Sequence, residues 1–228
     1  MKENSLEITK YIQIARKKHR EGNIYQANEI YSKLINQKIY TYELLLSYGI
    51  FCNEINNLKI AKNLFFLSIK KYPLKINSYI LLAEILRKEN KINDALKTLY
   101  AAKKIEKFNS EIDYSLSITF KTIKSFEEAI IAINSAINQK PNNQTYQILK
   151  ADILVETFKN EEAKKLLSNL KLPKKSILFF QREILLSKIF INEKQYRLSE
   201  EVLLGLKKLF SKEKILYLNL SDLYFKSK

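Results

Sequence analysis

The chain has 228 residues, of which 46% are hydrophobic, with three Gly, three Pro, one Cys, one His and a net charge of +16. So few turn residues exclude a sandwich, a barrel or a doubly wound sheet, while the apolar content suffices for a continuous core. No run of 18 or more apolar residues occurs, so no segment reads as a bilayer-spanning helix, and a lone Cys52 points to a reduced, cytoplasmic setting.

The opening stretch, MKENSLEITKYIQIARKKHREG, has no uninterrupted apolar core and no small-residue cleavage site, so no signal peptide is expected. From there the apolar spacing of three and four predicts two helices in each of six stretches, 8–41, 42–75, 76–109, 110–143, 144–177 and 178–213. A single helix follows over 214–228. Thirteen helices of about 12–15 residues are expected. The first helix of each early pair ends near Gly22, Asn56 or Asn90, residues that tolerate the left-handed backbone of a helix C-terminus. Second helices stop near Pro73, Pro141 and, two residues early in register, Pro173. The fifth stretch departs most, at Lys150, Phe158 and Asn160, so a change of pitch or a bend is expected near 171–179.

Small residues fix the register. Ala27, Ala61, Ala95, Ala129 and Ala163 stand 34 apart, and Ser199 follows. A second column holds Ala15, Gly49, Ala83, Ser117, Ala151, Ser187 and Ser221. Large residues keep step three before the alanine column (Ile24, Leu58, Ile92, Phe126, Tyr196) and four after it (Tyr31, Phe65, Leu99, Ile133, Leu167, Leu203). A fixed period of this length is the sequence mark of a solenoid. A small residue at each crossing lets two helix backbones approach, with a large neighbour packed across it.

The period and the motif of small residue, alanine, small residue and proline resemble the tetratricopeptide repeat family. Ser117, Ala129, Ala136 and Pro141 carry that motif whole, and Gly49, Ala61, Ser68 and Pro73 carry it again. The resemblance covers about 8–227. It implies an all-α right-handed solenoid of about six and a half repeats in a single domain over 1–228, with first helices lining a concave groove.

Chemistry-bearing residues are few. His19 ends the first helix, where a solvated imidazole at the helix dipole explains it. Cys52 stands in a large-apolar column and reads as core. No phosphate-binding glycine loop is present. Glu127–Glu128, Glu161–Glu162 and Glu200–Glu201 are read as opening second helices, and Lys70–Lys71, Lys103–Lys104 and Lys207–Lys208 as closing them, each complementing the dipole. No catalytic, cofactor or metal site is expected. The basic excess is spread along the chain, +5 over 8–41 and −1 over 110–143, without a short segment interleaving cations and aromatics.

The candidate partner-binding groove is a stripe on the first helices. Three before the small column stand Ile12, Leu46, Ile80, Tyr114, Ile148, Ile184 and Leu218. One after it stand Arg16, Ile50, Glu84, Ile118, Asp152, Lys188 and Asp222. An apolar floor with charged flanks suits a peptide or an amphipathic helix, unless the floor is packing between neighbouring first helices. Family members that clamp a C-terminal carboxylate do so with Lys and Asn. Here the matching positions hold Ile12, Arg16, Asn77 and Leu81, so that clamp is not implied.

The leading reading is a non-catalytic protein-interaction scaffold. Second comes the N-terminal recruiting arm of a larger enzyme of glycosyltransferase, sulfotransferase or oxygenase type. Nucleic-acid binding through the basic surface is third. The last helix is apolar on more than one face (Ile215, Leu218, Leu220, Tyr224, Phe225). The chain is therefore expected either to continue past Lys228 or to form a homodimer through that helix.

Overall fold

The computed structural model describes residues 2–227, with side chains from Leu6 onward. Thirteen α-helices and no strand occur among the described residues. They are α1 (Lys2–Arg20), α2 (Ile24–Asn36), α3 (Tyr42–Glu54), α4 (Leu58–Lys71), α5 (Ile76–Lys88), α6 (Ile92–Ile105), α7 (Ser110–Thr122), α8 (Phe126–Gln139), α9 (Gln144–Glu156), α10 (Asn160–Ser168), α11 (Ile177–Asn192), α12 (Tyr196–Leu209) and α13 (Lys214–Lys226). Two compact units result, Met1–Phe108 with α1–α6 and Asn109–Lys228 with α7–α13.

Within each repeat the two helices join by the same turn. Gly22, Asn56, Asn90, Lys124, Phe158 and Lys194 all have positive φ, between 58° and 80°. The next residue's N–H then reaches back five residues: Asn57 to the Cys52 carbonyl at 2.7 Å, Lys91 to Leu86 at 2.7 Å, Ser125 to Phe120 at 3.0 Å. This is the Schellman closure, which satisfies carbonyls the helix leaves open. Gly and Asn adopt it readily, whereas Lys124, Phe158 and Lys194 each hold it at a cost of about 1 kcal/mol. Between repeats, Thr41, Asn109, Asn143 and Ser176 cap the first helices by accepting from backbone N–H groups one turn in.

The small columns sit where the register puts them. Ala15, Gly49, Ala83, Ser117, Ala151 and Ser187 are buried, as are Ala27, Ala61, Ala95, Ala129, Ala163 and Ser199. Ser117 Oγ donates to the Ala129 carbonyl at 2.9 Å, so the first helix of its repeat touches the backbone of the second. At Gly49 the approach leaves no room at all: a Cβ there would fall on the Phe65 ring, 2.8 Å from Cζ. Phe126 packs against the cluster of Ala129, Ile133, Ala136, Tyr146 and Ile153, which joins α8 to the following α9.

Helix lengths differ from the expected 12–15 residues: α1 has 19, α11 has 16 and α10 only 9. The reason for the short α10 is local. Asn160 replaces the large residue that starts other second helices, and Leu170 leaves the helix to enter the core beside Leu167, Leu185 and Ile189. The loop carbonyls this exposes are held by side chains, Leu170 by Arg182 Nη1 at 3.2 Å and Lys171 by Gln144 Nε2 at 3.1 Å. The irregularity at 169–176 is therefore an ordered loop. Glu127–Glu128 and Glu161–Glu162 do open α8 and α10, but α12 starts at Tyr196, so Glu200–Glu201 lie in its second turn.

Ser199 Oγ is the one buried side-chain polar atom among the described residues without a hydrogen-bond partner. Five other repeats carry Ala there. Ser199→Ala is expected to stabilise the chain by about 1–2 kcal/mol, since an unpaired buried hydroxyl is removed and little volume is lost. The comparison is Ser117→Ala, which breaks the bond to Ala129 and is expected to destabilise by about 1 kcal/mol. Urea melts of the two variants decide it; equal effects of one sign would contradict this reading.

Candidate functional site

Neighbouring first helices are cross-linked by polar rungs. Arg16 donates from Nη2 and Nε to Ser47 Oγ at 2.7 and 3.1 Å and lies 3.1 Å from Glu43. Asn53 donates to Glu84 Oε1 at 3.1 Å, and Lys88 bridges the same carboxylate at 2.8 Å. Burial opposes the charge of Glu84, but the bonds from Lys88 and Asn53 outweigh it and hold the carboxyl below its usual range. In the other compact unit Lys121 and Asp152 pair at 2.7 Å. The rungs recur at one spacing, 16 to 47, 53 to 84 and 121 to 152, so the repeat sets electrostatics as well as packing. They consume much of the charge that flanks the expected groove.

The apolar stripe divides. Ile12, Ile148 and Ile184 are 1%, 6% and 5% exposed, so these side chains are core between neighbouring helices. Leu46, Ile80, Tyr114 and Ile118 are half-buried, and Leu218 is 69% exposed. A continuous open apolar floor is therefore not what this register builds: side-by-side packing of first helices takes up the position three before the small column.

Of the depressions on the first-helix face, two gather most of the sequence candidates that line one. In the first compact unit a polar basin of about 610 Å³ is lined by Arg16, His19, Arg20, Ser47, Ile50 and Glu54. His19 is not merely solvated there: its Nε2 meets Glu54 at 3.0 Å and its ring stands edge-on to Phe51, 4.9 Å away. In the second compact unit a depression of about 260 Å³ brings together Tyr114, Ile148, Asp152, Ile184 and Lys188, five of the sequence candidates. Phe180 and Ile215 are also in its lining. Ile148 and Ile184 supply the tops of buried side chains, and Tyr114 is fixed by stacking on Tyr146 at 5.0 Å. Asp152 is held by Lys121, whereas Lys188 has no ion-pair partner among the described residues. Leu46, Ile80, Glu84 and Ile118 line neither depression.

Sequence reasoning missed Phe180, although it stands four before Ile184 and so on the same helix face. Ile215 was noted for α13 alone. The lysine pairs 70–71, 103–104 and 207–208 do close α4, α6 and α12. Lys62 and Lys164 are tied to Glu89 and Glu193 at 2.6 and 2.8 Å. No group of three or more metal-ligating side chains occurs among the described residues, and no helix there is long and apolar enough to cross a membrane.

Neither a model of a known protein family nor a curated protein sequence matches the chain. Solved structures do. A tetratricopeptide repeat protein of Parabacteroides merdae superposes with a TM-score of 0.80 at 12% identity, over 97% of this chain and 86% of that one. Pseudomonas aeruginosa pilF gives 0.69 at 13% identity over 94% and 96%. A thermophilic TPR protein of Thermus thermophilus gives 0.68 at 12% identity over 78% and 98%. The chain thus has the helical-repeat fold of tetratricopeptide repeat proteins.

Cys52 is buried, and that burial pushes its thiol up to about 12. A thiol reagent at pH 8 is expected to modify the native chain at least about a hundredfold more slowly than the urea-unfolded chain, because the thiolate is the reacting form. Equal rates would make Cys52 an accessible nucleophile and overturn its assignment to the core.

Proposed function

We propose that the chain is a non-catalytic protein-interaction scaffold that captures a peptide or amphipathic helix of another protein at the first-helix depression of its second compact unit. The observation that carries this reading is the join of Tyr114, Phe180 and Ile184 to a half-buried, unpaired Lys188 in one concavity. An apolar concavity with a few placed polar groups is the usual form of a recognition site. A large apolar side chain fills the floor, and an acidic group beside it meets Lys188. Lys121 is paired with Asp152, and residues 110–143 carry a net charge of −1, which argues against a continuous basic track for nucleic acid.

The test is a pull-down from the source cells with the full chain as bait, repeated with Tyr114→Glu and Lys188→Glu. Both positions are half-buried, so the variants are first checked for unchanged helix content and melting. Replacing Ile148 instead would bury a charge in the core and test folding only. The expected result is at least about a tenfold loss of the same partner with each variant, as for a central contact. A partner retained by both variants contradicts the reading.

A further inference from the structure

Helix by helix, the basic excess is not evenly spread. Among the second helices, α4 and α6 together hold seven Lys against one Asp, whereas α2, α8, α10 and α12 hold six cations against seven acids. A merely lysine-rich composition would load all six alike. The cations of α4 and α6 also gather beside aromatics. Lys59, Phe66 and Lys70 stand at i, i+7 and i+11 of α4, and Lys97, Tyr100 and Lys104 at i, i+3 and i+7 of α6. At about 100° per residue each trio falls within about 60° of arc, and Asp94 lies outside it. Phe66 and Tyr100 hold the same place in the repeat, as do Lys70 and Lys104, so both helices turn the same mixed face outward. The other second helices put Ser32, Asn134, Ser168 and Leu204 at the aromatic place.

All six side chains are exposed. Lys59, Lys70, Lys97 and Lys104 have no ion-pair partner among the described residues. The two helices are also tied together: Glu89 accepts from Lys62 at 2.6 Å and from Lys91, the residue before α6, at 2.8 Å. No short segment interleaves cations with aromatics, but the repeat brings them together on two helices of one compact unit. Unpaired cations around exposed rings suit a partner that carries a string of negative charges with flat groups between them. We propose that this outer face binds single-stranded RNA, the four lysines meeting phosphates while Phe66 and Tyr100 each stack an unpaired base. Stacking is what separates this partner from other polyanions. An acidic peptide would use the lysines and leave the rings idle. A membrane surface would need the rings to sink about 5–10 Å into lipid, whereas Phe66 and Tyr100 are only 52% and 48% exposed. Bases free to stack are the ordinary state of RNA loops and tails. The platform is local, since α8 holds two Glu and no cation, and it is independent of the groove proposed in the second compact unit.

The experiment is fluorescence anisotropy of the full chain on a labelled single-stranded RNA of adenosine and cytidine, about 12 nucleotides long, over a sodium chloride series. The expected result is a Kd of about 1–100 μM at physiological salt, with a log–log slope against salt of about −3 for four phosphates on a single strand. Phe66→Ser with Tyr100→Ser should weaken binding at least about fivefold at an unchanged slope, since stacking is lost and charge is kept. Ser stands at that place in α2 and α10, so the fold is kept, which circular dichroism verifies. Lys70→Gln with Lys104→Gln should reduce the slope by about 1. Lys207→Gln with Lys208→Gln removes the same charge from α12 and should change the affinity less than about twofold, because total charge is screened at this salt. No binding up to about 1 mM chain, well above that Kd range, overturns the proposal. An equal loss in the α12 variant, or full affinity without the two rings, overturns it as well. So does tighter binding to polyglutamate or to phosphatidylserine vesicles than to the RNA, which gives the face to an acidic protein or a membrane.

Discussion

Two helix backbones can lie against each other only where neither carries a bulky side chain at the contact, and this chain meets that condition once per repeat. Ser117 against Ala129 shows the geometry, with a hydroxyl reaching the facing backbone carbonyl. Gly49 shows the limit, where Phe65 occupies the space a methyl group would need. The large residue beside each crossing then fills the volume that close approach leaves at its edges. Once the crossing is fixed, the left-handed turn that follows is forced, because the second helix must return along the first. That is why Lys124 and Phe158 adopt a backbone conformation that suits neither of them.

The same register distributes charge. A polar rung between neighbouring first helices costs little where its members are already brought side by side, and Lys121–Asp152 and Asn53–Glu84 occupy matching places. The consequence for binding is subtractive. Some of the cations in this basic chain are committed within the fold, Lys62, Lys121 and Lys164 among them. Lys188 is not among them, and it borders an apolar concavity.

Much of this was legible before any coordinates, and the reasons are physical. The period, the columns and the turns at Gly22, Asn56 and Asn90 were readable because small residues and left-handed backbone each select few residue types. The equivalent turns at Lys124, Phe158 and Lys194 carry no such signal and follow from register alone. Asn160 and the early Pro173 marked the fifth repeat as irregular, but not that α10 would be short or that Leu170 would fill the core from a loop. At the site, helical spacing placed Tyr114, Asp152 and Lys188 on one face. It could not tell that Ile12, Ile148 and Ile184 would be covered, because lateral packing between repeats is a tertiary property that one helix's pattern does not encode. The partnering of His19 with Glu54 is missed for the same reason.

If small-residue crossings between nearest neighbours hold this fold, damage to one crossing stays local. Residue-resolved hydrogen exchange of Ala129→Leu measures this most directly. Overpacking at that crossing is expected to cost about 1–3 kcal/mol. Protection should fall in α7, α8 and α9 and persist in α1–α4 and α12, as expected of a one-dimensional array. Uniform loss of protection along all thirteen helices, or none in α7–α9, would contradict the account.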